Sequence, residues 1–247
     1  MALVIQIIYS TFICLSSPSN PIKHMCQCND MYELLYNEFL YKTDDKTESK
    51  DRFLYDVNRY TIFQLRNNGK LIGSLFVDEK QYYGTDKAKE LKKMTDHYEK
   101  PLKCIEIYSL AIVPEYRKQG YARNLLENVV NWYDKNREVD LIALHLDPKD
   151  KMMEYAFALY TSLGFHYASF VKDGPSDYFY KAEQIFLLPS PCELVKNPEL
   201  CNHKGYFFAM YCTRDNFNKN TISISNLTEI GKTLKSILIN KLEKNKA

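Results

Sequence analysis

"CIEIYSLAIVPEYRKQGYARNLLENVVNWYDK", residues 104–135, decides how the chain folds. Residues 104–113 are apolar on both faces, a pattern that suits a central strand covered from both sides. Pro114 ends that run, and Ala122, Leu125, Leu126, Val129, Val130 and Tyr133 then recur at helical spacing. Between strand and helix lies the turn Arg117-Lys118-Gln119-Gly120-Tyr121-Ala122. A helix start carries unpaired N–H groups and partial positive charge, and a residue without Cβ lets those amides close around phosphate oxygens. Gly120 permits that approach. The spacing fits neither the phosphate loop of NTPases nor the dinucleotide-binding glycine pattern.

Outward from this unit, "DLIALHLD" at residues 140–147 supplies the next strand. In "KMMEYAFALYTSLGF", residues 151–165, Met152, Tyr155, Ala156, Leu159, Tyr160 and Leu163 mark one face of a second helix, which Gly164 ends before Phe165 opens another strand. Upstream, "YTIFQLRNNGKLIGSLFVDEK" joins two β-branched and aromatic runs through Asn67-Asn68-Gly69, so residues 60–78 form a β-hairpin. "DMYELLYNEFL" opens with Asp30 and Glu33 as a capping box and is an amphipathic helix carrying Tyr32, Leu35, Tyr36, Phe39 and Leu40. The segment "KTDDKTESKD" after it reads as a polar stretch. Strands alternating with helices give an α/β fold with a mixed sheet.

Composition limits function more than it assigns it. A chain of 247 residues, 45% hydrophobic, with a formal net charge of +2, has a core of useful size and no field strong enough to imply nucleic acid. Its seven cysteines are odd in number and unevenly spaced, which points to reduced thiols and a cytoplasmic setting. The apolar start at residues 1–20 imitates a secretory signal but lacks a basic leader, and it suits a first strand at 2–9 equally well. His24, Cys26, Cys28, Cys201 and His203 could be assembled into a metal set, but Cys-x-Cys is a poor spacing for tetrahedral zinc, and no metal is expected. "NLTEIGKTLKSILINKLEK", from Asn226, reads as an amphipathic helix with Leu227, Ile230, Leu234, Ile237 and Leu238 inward. Such a helix suits packing or a homodimer rather than a membrane.

"AIVPEYRKQGYA" resembles motif A of the GNAT superfamily of acyl-CoA-dependent N-acyltransferases, and "AFALYTSLGF" resembles its motif B at Ala156, Leu159, Tyr160, Gly164 and Phe165. The resemblance covers residues 60–212, with insertions at 79–103 and 172–203; residues 1–59 would precede this core and 213–247 would extend it. It implies a strongly twisted mixed sheet, splayed between the strand ending at Val113 and the strand at 141–147. It further implies acetyl-CoA as co-substrate, a primary amine as acceptor, and direct transfer between them. Leu110, Ala111 and Ile112 would hydrogen-bond the pantetheine arm as a pseudo-strand. The amides of Arg117, Lys118, Gln119, Gly120, Tyr121 and Ala122 would hold the pyrophosphate. Tyr160 would protonate the leaving thiolate, Glu106 would accept the amine's proton, and Leu110 N–H would face the oxyanion.

The same residues have plainer readings. Tyr160 stands on an apolar helical face and also suits a core aromatic. Glu106 also suits an ion pair with a neighbouring Lys or Arg, and His145 suits a strand residue with a satisfied hydrogen bond better than a base. Counting by twos puts Glu106, Tyr108 and Leu110 on one face of their strand. The residue three before Ala156 is often Asn in motif B and here is Met153, which leaves open a module that binds acyl-CoA or a partner without turnover.

Overall fold

Asn68 and Gly69 both take positive φ, 50° and 80°, and turn Thr61–Asn67 (β2) back onto Lys70–Tyr82 (β3). Two consecutive positive φ values are what a two-residue hairpin turn needs to follow the right-handed strand twist. The structure, a computed structural model, describes residues 4–8, 30–36, 46–82, 102–136, 138–171, 184–187, 207–218 and 224–244. The chain forms two compact units, Met1–Glu79 with Ile107–Glu138, and Lys80–Glu106 with Val139–Ala247. The boundary falls within Leu102–Ile112 (β4).

In the first unit the strand order is β1 (Val4–Ile8), β2, β3, β4, and β1 pairs antiparallel with β2 from Val4 opposite Arg66 to Ile8 opposite Ile62. Helix α1 (residues 30–36) and α2 (Lys46–Arg59) bring Met31, Leu34, Leu35 and Phe53 into one cluster with Tyr60, Ile62, Leu71, Phe76 and Ala111. Successive strand residues point to opposite faces, so Phe63 turns away from that cluster. It meets Trp132 and Tyr133 of α3 (Tyr121–Asn136), with ring centroids 5.6 and 6.0 Å apart. Burial on both faces explains why β2 lacks a polar stripe. Helix α3 buries Leu125, Leu126, Val129, Val130 and Tyr133, the stripe expected from their spacing.

Helix α2 occupies most of the segment read as a polar stretch. Its inward positions include Ser49 and Asp56, fully buried or nearly so, while Leu54 and Tyr55 point to solvent, so the hydrophobic pattern is inverted there. The hairpin is longer than 60–78, since β3 continues to Tyr82. With β4 starting at Leu102, both ends of the insertion assigned to 79–103 are strand; residues 83–101 lie outside the described residues.

The second unit orders its strands β4, β5 (Leu141–Leu146), β8 (Phe207–Thr213), β6 (His166–Val171), β7 (Gln184–Leu187). β8 pairs antiparallel with both β5 and β6, with Ala209 opposite His145 on one side and Ala168 on the other. β7 lies within the insertion assigned to 172–203 and adds an antiparallel strand to β6. Helix α4 (Met153–Ser162) ends as its sequence requires: Gly164 takes φ +94° and Phe165 N–H returns to Tyr160 O at 3.1 Å. Helix α5 (Ile224–Lys244) buries Leu227, Leu234 and Leu238 and lies against α4. The two described cysteines, Cys104 and Cys212, are buried thiols outside any disulfide, and burial pushes the Cys212 thiol up to about 12 against the opposing charge of Arg214. Among the described residues no helix is long and apolar enough to cross a membrane.

Candidate active site

Glu106 is the single acid in the apolar run 104–113, and β4 carries its carboxylate inside the fold at 2% exposure. His145, likewise the single ionisable side chain of β5, meets it with Nδ1 3.1 Å from Glu106 Oε1; the imidazole is 28% exposed. The partner of Glu106 is thus an imidazole, not the Lys or Arg considered from the sequence. The contact is one of charge and proximity: neither carboxylate oxygen of Glu106 makes a hydrogen bond of good geometry among the described residues. A buried carboxylate is costly without a partner of opposite charge or a hydrogen-bond donor. The arrangement can pass a proton from the half-exposed ring towards a sheltered acid. His145 was not favoured as a base from sequence. The signal that finds it is the adjacency of two largely apolar strands, one with a single acid and the other with a single imidazole.

Tyr160 sits on α4 at 5% exposure, its ring 5.4 Å from that of Phe165. Burial, with the Asp150 charge adding to it, pushes the phenol well above its ordinary value. The group therefore keeps its proton throughout the neutral range and has one to donate. Met153 is 1% exposed and belongs to the core of the same unit, as an apolar residue does and the family's usual Asn would not.

In the first unit, Leu110 is half-buried, while Ala111 and Ile112 are buried at the end of β4. Tyr108 and Ala111 both pack on the α1–α2 cluster, and Tyr108 stacks on Tyr60 at 4.5 Å.

After β4 a short 3-10 turn, Pro114–Tyr116, leads into the glycine loop. Lys118 and Gly120 take φ of 59° and 83°, and a Cβ on Gly120 would meet nothing within 4 Å. The glycine thus answers to backbone conformation and leaves open space above the start of α3, whose first-turn amides have no carbonyl within the helix to receive them. Arg117 turns back instead of outward, with Nε donating to Ile112 O at 2.9 Å, and Gln119 Nε2 donates to Glu115 O at 2.9 Å. These bonds tie the loop to the end of β4. Tyr121 packs edge-on against Tyr116, and Ala122 is half-buried in the first turn of α3.

A strand, glycine loop and helix in one unit, and a helix ended by Gly164 in the other, are the elements of an acetyltransferase of the GNAT superfamily. The chain belongs to the family described as "Putative acetyl-transferase", whose model matches residues 20–238. Among solved structures it is similar to Arabidopsis thaliana NAA60 in complex with acetyl-CoA, at 15% identity and a TM-score of 0.50, over 86% of this chain and 97% of that one. It also matches the ribosomal-protein-S18-alanine N-acetyltransferase from Escherichia coli, at 16% identity and a TM-score of 0.46, over 90% of this chain and 97% of that one. At these identities the likeness to NAA60 speaks for the fold. No curated protein matches the sequence. Among the described residues no group of three or more His, Cys, Asp or Glu could hold a metal ion; His24, Cys26, Cys28, Cys201 and His203 lie outside them.

Proposed function

We propose that the protein moves an acetyl group from acetyl-CoA to a primary amine by direct transfer. The observation that carries this reading is the Glu106–His145 pair, a buried carboxylate 3.1 Å from a half-exposed imidazole. Amine acylation requires a neutral nucleophile, and a base of this kind takes the ammonium proton as the amine approaches. Glu106 accepts that proton through His145 or through water. Leu110 N–H polarises the thioester carbonyl and stabilises its oxyanion. The amide then forms as the C–S bond breaks, and Tyr160, held protonated, gives its proton to the departing thiolate.

For the cofactor, the residues fit the group. The amides of Arg117, Lys118, Gln119, Gly120, Tyr121 and Ala122 would hold the pyrophosphate at the start of α3, and the backbone of Leu110, Ala111 and Ile112 would hold the pantetheine arm. Bound acetyl-CoA supplies an activated acyl group, and no metal is required. The acceptor could be a small amine, a protein N-terminus or a lysine, and a cytoplasmic setting suits each.

A non-catalytic acyl-CoA-binding module is the second reading, favoured by Met153 in the core where motif B often has Asn. Purified protein, tested for acetyl-CoA binding by calorimetry and for CoA thiol release with a panel of primary amines, separates the two. Binding together with amine-dependent thiol release supports the enzyme; binding with no release above the acceptor-free rate supports the module.

A further inference from the structure

Helix α4 begins without the usual side-chain cap. Its N-cap residue, Met152, makes no side-chain hydrogen bond, although a helix start leaves several N–H groups to be satisfied. Two contacts stand in for the cap. Asp150 Oδ1 accepts from Met152 N–H at 2.8 Å, and Lys235 of α5 reaches across to the same place. Lys235 Nζ donates to Asp150 O at 2.5 Å and to Glu154 Oε2 at 3.0 Å, so one ammonium holds both the segment before α4 and its first turn. One turn earlier on α5, Gly231 allows close approach: a Cβ there would stand 2.7 Å from the Phe157 ring and 3.0 Å from Glu154 O. Burial alone would raise the Glu154 carboxyl, but its backbone hydrogen bond and the Lys235 ammonium outweigh that and hold it below the ordinary carboxylate value. Lys235 is 21% exposed and Glu154 15%, so the pair is sheltered from screening by solvent.

We propose that Lys235 is a positioning residue for acetyl transfer, fixing α4 through Glu154 and Asp150 and thereby placing the Tyr160 phenol. The inference rests on Tyr160 as proton donor. Tyr160 stands six residues beyond Glu154 on the same helix, about 9 Å along its axis, so a shift or tilt of the first turn is carried to the phenol. A displacement of about 1 Å is enough to cost a reaction roughly a hundred-fold in rate. α5 lies beyond the span that resembles the GNAT motifs, and its lysine makes the C-terminal helix part of the catalytic apparatus.

The test is steady-state CoA thiol release by the full chain, with acetyl-CoA and a mixture of short peptides bearing free α-amines. K235M keeps the aliphatic stem and removes the charge. It should fold and melt near the parent temperature, keep its KM for acetyl-CoA within about two-fold, and lose roughly ten-fold or more in kcat. K235R should restore most of the rate, and E154Q, which breaks the pair from the α4 side, should lose rate in the same sense. In the double variant Y160F/K235M the second change should add nothing to the first. Folded K235M or E154Q with parental kcat, or losses that multiply in the double variant, would overturn the proposal. Should K235M fail to fold, E154Q decides. Y160F with parental turnover would remove the donor role and this inference with it, whereas a slow Y160F beside an unaffected K235M removes this inference alone.

Discussion

Glu106 is the lone acid of β4 and His145 the lone ionisable residue of β5, and their 3.1 Å contact joins two ambiguous positions into one chemical device. A glutamine at 106 keeps the shape of the side chain and can still accept from the imidazole, yet it cannot take up a proton. E106Q should therefore fold normally and lose roughly a hundred-fold or more in turnover, most severely at low pH, where little amine is already neutral. A pH–rate profile on the purified variant reads this directly, and parental turnover at every pH would return Glu106 to a purely structural role. Gly120 is tested on the binding side. Valine there would meet no protein atom but would be forced into φ +83°, at about 1–2 kcal/mol, and would cover the amides that face the cofactor. G120V is expected to remain folded and to weaken CoA at least about ten-fold by calorimetry; unchanged affinity would mean that the loop does not hold the pyrophosphate.

At the scale of elements, Gly164 shows how closely one helix end is specified. It takes φ +94°, and a Cβ on it would land on the Asn216 carbonyl, which belongs to the turn after β8. G164A should lower stability by more than about 1–2 kcal/mol, because strain of the left-handed backbone adds to displacement of that turn. Urea denaturation gives the number, and a loss below a few tenths would show that the turn yields freely. This glycine was legible from the sequence, as were the Asn68-Gly69 hairpin and the buried stripe of α3, because in each a local rule and the tertiary environment agree; the inward face of α4 was not, since Tyr155 is exposed while Met153 and Phe157 are buried. Helix α2 was not legible. It buries Ser49 and Asp56 and exposes Leu54 and Tyr55, so tertiary packing overrides the pattern that periodicity detects. β7 escaped for a different reason: four residues are too few for alternation to be seen. The site was legible in part. Motif spacing located the loop and Tyr160, but the side-chain partner of Glu106 depends on which strands become neighbours, and strand order is not written in any local stretch.

For the whole molecule, the family model reaches from residue 20 to residue 238, well beyond the 60–212 span that the motifs mark. The segments on either side, among them α1, α2 and most of α5, therefore fall within the span of the family model. The chain is an acetyltransferase of the GNAT superfamily, and the central claim about it is that the acyl group ends on nitrogen. Acetyl-CoA carrying an isotopic label in its acetyl group, incubated with the full chain and a set of primary amines, tests that claim most directly by mass spectrometry of the products. The account predicts label in an amide bond on at least one amine, formed faster by the parent than by E106Q. Bound acetyl-CoA whose label stays on the thioester, or passes only to water, with every amine supplied would contradict it.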